Sequence, residues 1–87
     1  MAAYKMSAAA QRVRIISLLR AASQSTYALR ARGISHPAMR VKELISAGYV
    51  IHSSRVMAVD SDGYTHNGVA LYELITVPRQ PGLFEDK

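Results

Sequence analysis

Three histidines, six acidic residues and no cysteine are the main stock from which this chain could build a metal site or move a proton near neutral pH. His36, His52 and His66 fall in three separate stretches without the paired ligand spacing of a zinc site, so no metal is expected. The run DSDG at Asp60–Gly63 has the composition of a calcium loop. Its glycine comes too early, however, and the twelfth position is Leu71, where a bidentate Glu would be needed, so a turn is expected there. No Ser-His-Asp arrangement, phosphate-cradling glycine loop or pair of carboxylates stands out, which leaves no basis for acid–base or nucleophilic catalysis. The sequence reads as that of a non-enzyme without a cofactor. Absent thiols exclude disulfides and thiol chemistry, and nothing points to an oxidising compartment.

Charge carries more information. Eight cations, ending with Lys42, precede the first acid, Glu43, and from there on three cations face six acids, so a first part of +8 sits beside a remainder of −3. A surface of one sign attracts polyanions over a Debye length. Nucleic acid is the leading partner class, RNA included, although no pair of aromatics forms a stacking platform for single strands. No stretch reaches the roughly 18 apolar residues that span a bilayer, so a cytoplasmic protein with no membrane partner is expected.

These residues must be positioned by one small domain of 87 residues. Ser7 predicts the cap of a first helix running to about Ala22, with Val13, Ile15, Ile16, Leu18 and Leu19 as its apolar arc. The polar cluster ASQST interrupts it, Ser25 or Thr26 caps a short second helix, and Gly33 ends that helix. Ser35 is expected to open a third helix, with Pro37 in its first turn and Gly48 after its end. On a helical wheel Ile34, Ala38, Val41, Leu44 and Ile45 fall inward. Ser35, His36, Met39, Glu43 and Ser46 fall outward, flanked by Arg40 and Lys42. Beyond Gly48, YVIHSSRVMAV and VALYELITV predict two strands around DSDGYTHNG, which holds two turn dipeptides. Either Leu71 with Ile75 or Tyr72 with Leu74 should pack on the helices. The expected fold is α+β, three helices followed by a two-stranded hairpin. An arm at 1–6 precedes a domain at 7–77, and an extended tail follows at 78–87.

A helix that enters a major groove needs short or flexible polar residues in its first turns and cations for the flanking phosphates. Ser35, His36, Met39 and Arg40 fit as base-facing residues, with Arg40 the candidate for bidentate contact to guanine. Arg14, Arg30 and Lys42 fit as phosphate ligands, joined by the hydroxyls and backbone N–H groups of Ser25 and Thr26. At the hairpin tip Arg55, Tyr64, His66 and Asn67 are placed to reach a backbone or a minor groove.

Several of these stretches carry a resemblance. QRVRIISLL looks like the first helix of a winged helix-turn-helix domain, ALRARGIS like its second helix and turn, and HPAMRVKELISAGYVI like its recognition helix running into a wing strand. With NGVALYEL as second wing strand, the chain is similar to the small winged helix-turn-helix proteins of bacteriophages and prophages, in which a helix, L-x-x-x-G-[YH]-x-I, hairpin, Y-x-L pattern recurs. The resemblance implies a double-stranded DNA-binding protein in a bacterial host cell, a transcriptional regulator or nucleoprotein accessory factor; a monomer of this size covers a small site, so specificity is expected to need a homodimer or cooperative neighbours. The alternative is a protein-docking adaptor that binds a host replication or defence complex. Arg32, in place of an apolar residue before the turn glycine, and Glu43, on the face expected to meet phosphates, depart from the pattern. In the tail, Gln80, Leu83 and Phe84 resemble the Gln-x-x-Leu-Phe peptides with which bacterial replication proteins dock on the sliding clamp.

Overall fold

The computed structural model describes residues 6–78. Helix α1, Ala8–Ala21, starts where the sequence predicts: the Ser7 hydroxyl accepts from the Ala10 N–H at 3.1 Å. A two-residue strand, β1 (Gln24–Ser25), leads into α2 (Thr26–Ala31), whose cap is Ser25, with Oγ accepting from the Ala28 N–H at 3.0 Å. Helix α3 spans Pro37–Ser46, and the long strands β2 (Val50–Val59) and β3 (Thr65–Thr76) complete the chain.

Helices α2 and α3 stop by the same device. The Ile34 N–H donates to the Leu29 carbonyl and the Gly33 N–H to that of Arg30; the Tyr49 N–H donates to Leu44 and the Gly48 N–H to Ile45. Both are Schellman closures, which need a left-handed residue just past the helix; Gly33 has φ +93° and Gly48 has φ +109°. At Gly33 the closure also turns Ile34 inward beside Leu29, and both are fully buried. A Cβ on Gly33 would lie 2.8 Å from Cε of Met6, which packs on the core from the start of the described chain.

The core gathers Ile15, Ile16 and Leu19 of α1, Leu29 of α2, Ile34 of the turn that follows it, Val41 and Leu44 of α3, and Ile51, Ala70 and Tyr72 of the sheet. Of the two strand sets weighed, Tyr72 with Leu74 faces the helices, while Ile75 is exposed. Three expected core residues point outward instead: Val13 is 71% exposed, Ile45 49%, and Ala38 is exposed too. The physical reason is narrowness. Each short helix touches the rest of the domain along one stripe, and a wide apolar arc cannot all be buried in a chain of this size.

The sheet corrects the expected two-stranded hairpin. It has three antiparallel strands in the order β1-β3-β2, with Gln24 opposite Tyr72 and Ser25 opposite Leu71. A two-residue polar strand paired to a partner far along the chain leaves no period in the sequence, so ASQST showed only a helix break. The tip also differs. Asp60 makes the turn, its Oδ1 accepting from the N–H groups of Asp62 at 2.9 Å and Tyr64 at 3.0 Å. Asn67-Gly68 is no turn; between the pairs Val56–Val69 and Ala58–His66, β3 carries one more residue than β2, and Gly68 takes φ +70° in the resulting bulge. Ser35 is not the cap of α3. That place falls to His36, which makes no side-chain capping bond, because Pro37 occupies the first helical position and is itself buried. The Ser35 hydroxyl lies 3.2 Å from Nδ1 of His36.

Candidate nucleic-acid interface

Helix α3 decides which side chains a groove could meet. Its buried residues are Pro37, Val41 and Leu44, and its exposed ones include Ala38, Met39, Lys42, Ile45 and Ser46, with Ser35 and His36 exposed just before it. At about 100° per residue, Lys42 sits near the middle of the outward side and Arg40 lies about 160° away from it. Arg40 therefore does not stand outward as a base reader. Its side chain is only 13% exposed, and Nη2 donates to Glu43 at 3.0 Å.

Glu43 also accepts from Nη1 of Arg12, at 2.7 Å, so two guanidinium groups hold one carboxylate where α1 crosses α3. Glu43, expected on the face that meets phosphates, thus has its charge met on both sides, and the three side chains act as a clamp between helices. The sequence held half the signal, since Arg40 and Glu43 are three apart on one helix. The other half joins residues 31 apart and was not legible.

Across from the start of α3 stands α2. Thr26 and Arg30 line a groove of about 270 Å³ with His36, Pro37, Ala38 and Met39. Arg30, Arg32 and Lys42 are exposed, and among the described residues no carboxylate pairs with them. Ser25, by contrast, is half-buried and already spends its oxygen on the α2 cap. Arg14 belongs to a different side of the molecule, lining a cleft along α1 with Met6, Val13 and Leu18.

The hairpin tip is more acidic than the sequence reading allowed for. Oδ2 of Asp60 lies 2.7 Å from Nε2 of His66. The hydrogen bond from the His66 ring, with help from the Tyr64 N–H, holds the Asp60 carboxyl below the usual carboxylate range, so it stays ionised. His66 also packs on Tyr27 of α2, ring centroids 5.4 Å apart and planes inclined at 57°, which braces the hairpin against that helix. Tyr27 was not singled out from the sequence, where a lone aromatic in a short helix gives no such hint. Arg55 donates to the Gly68 carbonyl across the hairpin at 3.2 Å. Of the four proposed tip contacts, Tyr64 and Asn67 are exposed and make no side-chain hydrogen bond among the described residues. Asp60 and Asp62 at the tip would oppose a phosphate brought close to it.

Gln80, Leu83 and Phe84, the expected clamp-binding residues, lie outside the described residues. Among the described residues no helix is long and apolar enough to cross a membrane, and no group of three or more His, Cys, Asp or Glu side chains comes together as a metal site.

Compared with known proteins, residues 10–77 match the family model described as a winged helix-turn-helix domain. No curated protein matches the chain. Nor does any solved structure.

Proposed function

The chain belongs to the winged helix-turn-helix domain family, and on that premise we propose that it binds double-stranded DNA, with α3 in the major groove and the cations of α2 and α3 on the flanking phosphates. The observation that carries this is the outward side of α3: Ser35, Met39 and Lys42 stand free of the core, and Arg30 lines the α2–α3 groove together with His36 and Met39. Arg30, Arg32 and Lys42 are the phosphate ligands, Thr26 contributes from the start of α2, and Ser35, His36 and Met39 meet base edges. Arg40 positions α3 through Glu43 instead of touching DNA.

The work done is binding, not catalysis, in the service of a small regulator or nucleoprotein accessory factor. A phage or prophage origin is supported by the sequence pattern alone. One domain of this size covers a short site, so a homodimer or cooperative neighbours would supply the rest of the specificity. Protein docking is the second reading, favoured by the cleft between α1 and α3, where the exposed Val13 joins Ile16, Ala47 and Tyr49 around about 380 Å³.

Salt separates the two. The three cationic phosphate ligands would lower DNA affinity by about 1.6 orders of magnitude over a fourfold rise in salt, on a straight line of log K against log salt. Fluorescence anisotropy on random-sequence duplex reads this directly. A flat salt response, or no binding at low salt, would remove DNA as the partner and leave the α1–α3 cleft as the working surface.

A further inference from the structure

The outward side of α3 is poor in the groups that usually read bases. Bidentate recognition of guanine falls to Arg or Lys and that of adenine to Asn or Gln. Helix α3 has neither Asn nor Gln, and its one Arg is turned to Glu43. Lys42 is the only cation left outward on it.

What the helix does expose is apolar carbon. Met39 is 52% exposed and Ile45 49%, with the exposed Ala38 between them on the same side, Lys42 at the centre and Ser35 and Ser46 at the ends. None of these three apolar side chains is needed by the core. On the floor of a major groove the one apolar group larger than a hydrogen is the C5-methyl group of thymine.

Resting on the DNA reading above, we infer that this surface reads thymine methyl groups, so that the preferred site is rich in A·T pairs. Met39 and Ile45 lie six residues apart, about 9 Å along the helix and about 120° apart around it, so they straddle Lys42 and span about three to four base steps of about 3.4 Å. Two thymines at that spacing can therefore each cover one apolar side chain. The flexible, polarisable thioether of Met39 suits a contact whose exact height varies from step to step.

The test compares an alternating dA·dT duplex with the same duplex carrying uracil at every thymine. The substitution removes the methyl and leaves every hydrogen-bonding edge and phosphate in place. Each covered methyl accounts for about a fourfold change in affinity and two for about fifteenfold, so the uracil duplex should bind about fifteenfold more weakly in anisotropy at low salt. Met39→Ser and Ile45→Ser should narrow that ratio, whereas Lys42→Ala should weaken both duplexes by a common factor and keep it. Equal affinity for the two duplexes overturns the inference and leaves DNA binding standing. A ratio that survives unchanged in the Met39→Ser, Ile45→Ser double variant also overturns it, because the methyls would then be sensed elsewhere. Failure to bind either duplex overturns the DNA reading and this inference together.

Discussion

Arg30→Glu combined with Lys42→Glu is expected to lower the affinity for duplex DNA by about two orders of magnitude or more while leaving the melting temperature nearly unchanged. Each substitution removes one charge-assisted hydrogen bond to phosphate, worth about 1.5 to 3 kcal/mol, and puts a like charge in its place. Both side chains are exposed and neither forms an ion pair among the described residues, so the fold loses little; exposed substitutions of this kind usually change stability by less than about 0.5 kcal/mol. Arg14→Glu supplies the contrast. It makes half that charge change, −2 against −4, on the side of α1 that lies with Met6 and Leu18, away from the α2–α3 groove, and should cost only a few-fold, where about an order of magnitude would follow if total charge governed. Anisotropy titrations of the three proteins would show whether position or total charge governs binding.

Leu29→Ala is expected to cost about 2 to 5 kcal/mol, the range for emptying a closed core position. Leu29 is fully buried, and its carbonyl accepts from the N–H groups of Arg32 at 3.0 Å and Ile34 at 3.1 Å. Helix α2 has six residues, far too few to hold its shape alone, so its place rests chiefly on that side chain and on Ile34 packed beside it, with Tyr27 on His66 as a brace at the surface. A chain of 87 residues has a total stability on the order of 4 to 13 kcal/mol, so the substitution removes a large share of it. In thermal unfolding followed by circular dichroism the midpoint should fall by at least about 10 °C. Val13→Ala, at a side chain 71% exposed, should leave it within a degree or two. A Leu29→Ala protein that melts like the parent would mean that α2 is not held as described.

Much of the fold was legible because its signals are local. Ser7 as a cap, Gly33 and Gly48 after helices, and the change of period beyond Gly48 each act over a few residues and appear in the structure where the sequence put them, and of the two caps weighed for α2 it is Ser25 that serves. The third strand was not legible, since Gln24 and Ser25 become a strand only by pairing with Tyr72 and Leu71. Asn67-Gly68 misled for a related reason. The dipeptide marks a position that tolerates positive φ, which a bulge needs as much as a turn does, and only the pairing partner tells them apart. In the candidate interface the wheel turns Met39 and Lys42 outward and sets Arg40 about 160° from Lys42, so the side each takes is a local signal. What the wheel lacks is the partner that holds the charge: Glu43, three residues on and itself held by Arg12 from another helix, draws the Arg40 guanidinium against the domain. The same applies at the tip, where Asp60 takes up the ring of His66 that the basic pattern had assigned to DNA.

The central claim, that DNA lies against the outward side of α3 and the facing start of α2, is tested most directly by amide chemical-shift mapping of the ¹⁵N-labelled protein titrated with duplex DNA. The largest shifts should fall on Thr26, Arg30, Ser35, Met39 and Lys42, with Ala9, Val13, Ala47 and Tyr49 along the α1–α3 cleft little changed. Shifts concentrated on that cleft, with α3 from Ser35 to Lys42 silent, would contradict it.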